Sequence, residues 1–322
     1  MSTPRTLLPA APAPSLDDQH KRYLLSVAGY ANIELTAPDW PSAWDVVANS
    51  IRLRVLEWGR DNRDTVIFLH GGSLTSHTWD LACASLSAEY RCVAIDLRGH
   101  GDSEWPADAD YRLEAIAADI EGVIDVMADT APILVGMSLG GLAAIHVAAR
   151  RNDTIRGLVL VDIGPKQSSA GVEEIQRFSE LPHVSPSFDE FVERSMAFNP
   201  RRRPELLRRS LLNNVRQLPD GTWTWKWDKR RLDQDWRDTA EVAETGLWAA
   251  IRQVTCPALV IRGAESNILS EPDAQALRAS FSDGDLALVE SAGHTVQGDN
   301  PAGFIRVLRS FLSRLTSDAS SL

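Results

Sequence analysis

The run Gly136-Met137-Ser138-Leu139-Gly140-Gly141 stands directly after the apolar stretch Ile-Leu-Val and directly before the helical stretch LAAIHVAAR. Glycines two residues either side of a serine, between a strand and a helix, allow a turn tight enough to hold the hydroxyl exposed as a nucleophile. The helix N-terminus behind it favours negative charge. A second cluster, His70-Gly71-Gly72, closes the apolar run VIFL. Small residues there let a backbone N–H, that of Gly72, face a reacting carbonyl together with the N–H of Leu139, and the two would form an oxyanion hole. Ser73 follows as a candidate substrate contact. His70 itself reads as a structural histidine. In Ala292-Gly293-His294-Thr295, after the apolar run LALVE, His294 is placed to act as general base towards a serine earlier in the chain. The block Asp96-Leu97-Arg98-Gly99-His100-Gly101-Asp102-Ser103 is rich in ionisable groups but reads as a hydrogen-bonded turn.

Such groups need a scaffold that brings loop ends together. Short β-branched runs at Ile51 to Glu57, Thr65 to Leu69, Cys92 to Ile95, Ile133 to Met137, Leu158 to Asp162, Ala258 to Ile261 and Leu286 to Glu290 read as strands. Tyr111 to Ala128, Leu139 to Arg150, Pro272 to Phe281 and Pro301 to Leu315 have helical length and spacing. Strand then helix, repeated, predicts an α/β fold: a mostly parallel central sheet with helices on both faces. The core is expected over 46–164 and 247–322. Residues 1–45, Pro- and Ala-rich at first and without clear periodicity, read as an N-terminal extension. The alternation fails over 165–246, a polar stretch rich in Arg and Trp, which reads as a helical cap over the crevice where open α/β sheets bind ligands.

The chain has 322 residues, 44% of them hydrophobic, and a formal net charge of −11, so it can bury a core and is a poor match for nucleic acid or an anionic membrane. Three unpatterned cysteines suggest neither a disulfide framework nor a zinc site. No apolar run approaches membrane-spanning length, and the N-terminus lacks the build of a signal peptide, so the expected location is the cytoplasm.

Read together, HGGSLTSHTW, DLRGHGDS, GMSLGG, VDIGP and AGHTVQGDNP resemble an α/β-hydrolase-fold enzyme from about residue 48 to 315. PDGTWTWKWD in the presumed cap is similar to a segment of some capped bacterial members. The resemblance implies a serine esterase or lactonase with the chain order Ser, acid, His, and it raises the question of the acid. The turn Gly263-Ala264-Glu265-Ser266 carries no Asp where many members have one. Asp162, at the end of LVLVDIGP, borders the same crevice and is the preferred acid, because a branch of small esterases carries its acid in a matching context. Glu265 is the alternative. In that branch a Gly-x-x-Ser turn replaces Gly-x-x-Asp, which makes Ser266 a possible support for Asp162 or His294. Asp285 and Asp299 read as surface or turn residues.

The expected reaction is attack by Ser138 on a small-molecule ester or lactone with no metal or organic cofactor. Carbon–carbon bond hydrolysis, cofactor-free perhydrolysis and a non-catalytic ligand receptor remain alternatives on the same fold. For the substrate, Trp223, Trp225, Trp227 and Trp236 offer apolar surface or are simply the packing of a lid. Arg201, Arg202, Arg203, Arg208 and Arg209 are either an anion site or a solvated helix face.

Overall fold

The computed structural model describes residues 7–9, 18–35, 40–233 and 240–319. The strands of the main sheet are β1 (Leu7–Pro9), β2 (Ser42–Ala48), β3 (Ile51–Trp58), β4 (Thr65–Leu69), β5 (Arg91–Ile95), β6 (Ile133–Met137), β7 (Gly157–Val161), β11 (Ala258–Gly263) and β12 (Gly284–Val289). They are arranged in the order β1-β2-β3-β5-β4-β6-β7-β11-β12. From β5 to β12 every neighbouring pair is parallel, and β1, β2 and β3 extend the sheet antiparallel at one edge. This is the α/β hydrolase architecture expected of the sequence, and all seven anticipated strands are present.

The central strands are continuous apolar runs because both faces of the sheet are covered. Side chains alternate between two cores with the period of two that a strand imposes. Ile67 and Leu69 of β4 join one core with helices α3 (Leu113–Met127), α4 (Leu139–Arg150), α8 (Ala240–Ile251) and α9 (Glu271–Ala279). Val66 and Phe68 join the other with α2 (Asp80–Leu86) and α11 (Pro301–Ala319).

Three expectations need revision. The N-terminal stretch carries helix α1 (Asp18–Tyr30), whose Leu24, Val27 and Ala28 are buried, and Arg203 of a later helix donates to its Tyr30 carbonyl. A 3–4 spacing of apolar residues was therefore present but short. Strand β2 starts at Ser42, inside the same stretch, where pairing with β3 rather than a strong apolar run holds it. Thirdly, the stretch after β7 is not wholly helical. Besides α5 (Ser169–Ser179), α6 (Phe188–Phe198) and α7 (Pro204–Asn214) it holds a small antiparallel sheet in the order β8-β10-β9, formed by Val184–Ser185, Trp223–Trp225 and Val215–Gln217. Helix α8 then runs through Gly246, so no structural break falls at that residue.

Trp223 and Trp225 belong to the core of this small sheet. Trp225 is buried against Phe178 and Phe191, and Trp223 packs on Phe188, so these two side chains are accounted for as packing and not as substrate surface. Trp236 lies outside the described residues. The segment is strapped to the main body where Gly101 donates to the Lys226 carbonyl at 2.7 Å, Asp228 to the Gly99 carbonyl at 2.8 Å, and Lys226 pairs with Asp102 at 3.0 Å.

Among the described residues no helix is long and apolar enough to cross a membrane, and no group of three His, Cys, Asp or Glu is placed to hold a metal ion.

Candidate active site

The strand order decides the site. In β6-β7-β11-β12, four adjacent parallel strands end at the same edge, so the residues that follow them meet there. Ser138 follows β6, Asp162 follows β7, the Ala264–Ser266 turn follows β11 and the His294 loop follows β12.

Ser138 is held at φ 49° and ψ −120°, a conformation that non-glycine residues avoid and that costs about 1–3 kcal/mol. The two flanking glycines make it attainable. A Cβ on Gly136 would lie 2.6 Å from the Gly140 carbonyl oxygen, and one on Gly140 would lie 2.5 Å from the Leu69 carbonyl oxygen. The serine N–H reaches the Val161 carbonyl at 3.4 Å, and Gly140 donates to the His70 carbonyl at 3.1 Å, tying the turn to its neighbours on both sides. The side chain is partly exposed and has no hydrogen-bond partner among the described residues.

Asp162 is fully buried at φ 52°, with its N–H donating to the Ile261 carbonyl at 2.7 Å. A buried carboxylate needs donors to replace water, and three converge on it. The Gly263 N–H reaches Oδ1 at 3.1 Å, His294 Nδ1 lies 2.9 Å from Oδ2, and the Ser266 hydroxyl donates to the same Oδ2. Ser266 Oγ in turn accepts from the N–H of Ile268 at 3.1 Å and of Leu269 at 3.4 Å, which leaves its proton for Asp162.

The β11 turn also fixes the histidine loop through its backbone. Ala264 donates to the Val289 carbonyl and Glu265 to the Ala292 carbonyl, both at 2.9 Å. A Cβ on Gly263 would lie 2.3 Å from the Gly293 carbonyl oxygen, so only glycine allows the loop this close. The Glu265 side chain is half exposed and pairs with Arg201 at 2.8 Å, and the carboxylate in contact with His294 is that of Asp162. Asp299 accepts from the Gly293 N–H at 3.0 Å as a loop brace, and Asp285 pairs with Arg314 at the surface.

At the other side of Ser138, the His70-Gly71-Gly72 turn is close enough that a Cβ on Gly71 would lie 3.2 Å from the Ser138 Cβ. No backbone or side-chain acceptor takes the N–H of Gly72 or of Leu139 among the described residues, so both are available to an incoming oxyanion. His70 is structural: Nδ1 donates to the Gly71 carbonyl at 2.7 Å and Nε2 accepts from the Leu97 N–H at 3.0 Å. Burial lowers its pKa, partly offset by Asp96.

The Asp96–Ser103 block is a closed network. Asp96 accepts from the N–H of Ser76 at 2.6 Å and of Asp102 at 2.9 Å, and Arg98 chelates the buried Asp119 at 2.6 and 2.7 Å.

One residue beside the site carried no signal in the sequence. Arg231, just beyond the small sheet, lays its guanidinium so that a Cβ on Gly72 would be 3.0 Å from both terminal nitrogens, and it donates to the Ser73 hydroxyl at 3.1 Å. Of the arginines that did draw attention, Arg201 pairs with Glu265, Arg208 with Asp189, Arg209 with the buried Asp80, and Arg203 donates to the Tyr30 carbonyl, whereas Arg202 Nε is buried without a partner.

Comparison with known proteins bears on the family and the fold. The profile of the alpha/beta hydrolase family matches residues 66–307. An esterase of Mycobacterium tuberculosis, Esterase Rv0045c, is 35% identical over 268 residues, spanning 81% of this chain and 86% of its own length. A 3-hydroxybutyrate-oligomer hydrolase of Cupriavidus necator is 29% identical over 229 residues, spanning 68% and 78%. A crystal structure of the Mycobacterium tuberculosis esterase superposes with a TM-score of 0.72 at 33% identity, covering 90% of this chain and 96% of the other.

Proposed function

This chain belongs to the alpha/beta hydrolase family and is an ester-bond hydrolase, and from that premise we propose that it cleaves small carboxylic esters, lactones included, through an acyl-enzyme on Ser138. The observation that carries the reading is the 2.9 Å contact of His294 Nδ1 with Asp162 Oδ2, one strand away from the constrained serine. With Nδ1–H donated to a carboxylate, Nε2 keeps its lone pair and acts as the base.

In the first half-reaction Ser138 Oγ attacks the ester carbonyl carbon while His294 Nε2 takes its proton. The carbonyl π electrons move onto oxygen, where the N–H groups of Gly72 and Leu139 receive them, at about 3 to 4 kcal/mol of transition-state stabilisation per donor. Collapse of the tetrahedral adduct expels the alcohol, which leaves with the proton from His294. Water repeats the sequence on the acyl-serine, passing its proton to His294, and the acid is released. Asp162 keeps the imidazole oriented and stabilises its protonated form, and Ser266 positions Asp162. No step calls on a metal or organic cofactor.

The segment after β7 serves as the lid and supplies specificity, a reading supported by the seat of Arg231 on Gly72. Trp225 is buried in the packing of the small sheet and Trp223 packs on Phe188, so neither argues for an apolar substrate.

Turnover of p-nitrophenyl acyl esters tests the proposal. Ser138→Ala should lower kcat by about 10³-fold or more, as loss of a triad nucleophile does, and a burst of nitrophenol should mark acyl-enzyme formation in the wild type. Turnover that survives the substitution would exclude Ser138 as nucleophile.

A further inference from the structure

A guanidinium offers five N–H donors, and the protein engages the Arg231 side chain in one hydrogen bond, to Ser73 Oγ. Its Nε is fully covered and has no partner. No carboxylate pairs with it among the described residues: Asp228, three residues earlier, is taken by Tyr111 at 2.6 Å and by Arg230. What holds Arg231 in place is the face of Trp227, 5.0 Å from ring centroid to guanidinium carbon. The side chain is part-buried, and a guanidinium so placed without an anion among the described residues is costly; desolvation pushes its pKa down to about 10.

The surroundings repeat the pattern. Trp227 Nε1, His100 Nε2 and His183 Nε2 are also buried without partners. The His183 ring stands edge-on to Trp227 at 4.2 Å. Residues 100 and 227 are joined by a bridge of backbone hydrogen bonds. His100 Nδ1 donates to the Arg98 carbonyl at 2.9 Å, so its Nε2 is a vacant acceptor. A protein interior satisfies such groups as a rule; of these, the Arg231 guanidinium lies against the candidate oxyanion turn and lacks an acceptor, which an anionic ligand would supply, whereas a vacant imidazole nitrogen calls for a donor.

We propose that Arg231 and the Ser73 hydroxyl receive a carboxylate carried by the substrate, so that the ester cleaved is a monoanion with its carboxylate a few bonds from the scissile carbonyl. A Cβ on Gly71 would lie 3.2 Å from Ser138 Cβ and one on Gly72 3.0 Å from the Arg231 terminal nitrogens, and consecutive Cα atoms are about 3.8 Å apart. That spacing suits a short dicarboxylic half-ester or a short acyloxy acid. The inference rests on Ser138 being the nucleophile of an ester hydrolase.

The two sources of the carboxylate are separated by substrate. Monoethyl succinate carries it on the acyl part and acetoxyacetate on the alcohol part; diethyl succinate and ethyl acetoxyacetate are the neutral counterparts, and hydrolysis is followed by titration of released acid. The wild type should prefer at least one monoanion over its neutral counterpart in kcat/KM. Arg231→Gln should lower kcat/KM for that monoanion about 100-fold, chiefly through KM, as loss of a buried charge partner does. The loss on the neutral ester should be at least about 30-fold smaller, and Arg231→Lys should restore part of the preference. Equal losses on charged and neutral esters, or no wild-type preference for either monoanion, would overturn the proposal, and the wild-type comparison decides even if the glutamine variant does not fold. If no ester is turned over, the proposed function fails by itself. Calorimetry on the Ser138→Ala protein then decides the inference separately: succinate should bind and succinamide should not, and failure of succinate to bind would overturn it.

Discussion

Ser266 donates its hydroxyl to Oδ2 of Asp162, the same oxygen that His294 Nδ1 contacts. A serine thus stands where a second carboxylate would repel the first, and it adds a donor without adding charge. Asp162→Asn should lower kcat by about 10³ to 10⁴-fold with little change in the melting temperature, because the amide favours the wrong imidazole tautomer. Glu265→Gln, which breaks only a half-exposed pair with Arg201, should change kcat by less than about threefold. Ser266→Ala should fall between, near tenfold, because Asp162 keeps its contact with His294 but loses one of its three donors. Steady-state kinetics on the three variants, each with a pH profile, checks the ranking.

Gly140→Ala puts a methyl 2.5 Å from the Leu69 carbonyl oxygen, which is sheet backbone and cannot swing away. The turn must open and the Gly140 to His70 hydrogen bond must lengthen. Stability should drop by about 2 to 4 kcal/mol in denaturant titration, with activity lost even in the fraction that folds. Gly246→Ala is the control, since nothing lies within 4 Å of its added methyl.

Arg98 and Asp119 form a buried bidentate pair, also reached by Asn49 at 3.2 Å. Burial pushes the Asp119 carboxyl up despite its partner. Arg98→Met strands it, and should cost about 3 to 5 kcal/mol by urea unfolding. Adding Asp119→Leu should recover most of that loss, because an apolar pair needs no compensation.

Burial pushes the His100 imidazole well below its ordinary value of 6.5, with His70 and Arg231 adding to the effect. His70 is lowered as well, again chiefly by burial. Both are therefore neutral in the folded state while the unfolded chain takes up protons below about pH 6.5. Their contribution is complete above that pH and is lost as the pH falls from about 6.5 towards the folded values. The slope approaches about 1.4 kcal/mol per pH unit for each histidine. Unfolding free energies between pH 7.5 and 5 should show this decline, and His100→Gln should make it shallower.

The parts of the molecule legible in the sequence are those set by local constraint. Gly136 and Gly140 are demanded by the turn itself, and the doubly buried strands announce themselves as unbroken apolar runs. The end of β7 drew attention to Asp162 because one residue placed it at the sheet edge, where the structure sets it beside His294. Strand β2 and helix α1 were missed because their order depends on neighbours: β2 on β3, and α1 on a helix some 180 residues later. Arg231 was invisible for the same reason, since the serine it reaches lies 158 positions away. Charge density misled as well, because Arg201, Arg203, Arg208 and Arg209 are conspicuous but already engaged within the protein.

The chain leaves the main sheet after β7 and returns at β11, and these two strands are neighbours. An insert whose two ends emerge side by side can be enlarged, shortened or exchanged without disturbing the strands around it. Arg231 travels with that insert, whereas Ser138, Asp162 and His294 stay with the sheet. On the proposed roles, selectivity and bond-breaking are separable modules, and a change of diet would require rewriting one excursion of the chain while the machinery beneath is left as it stands.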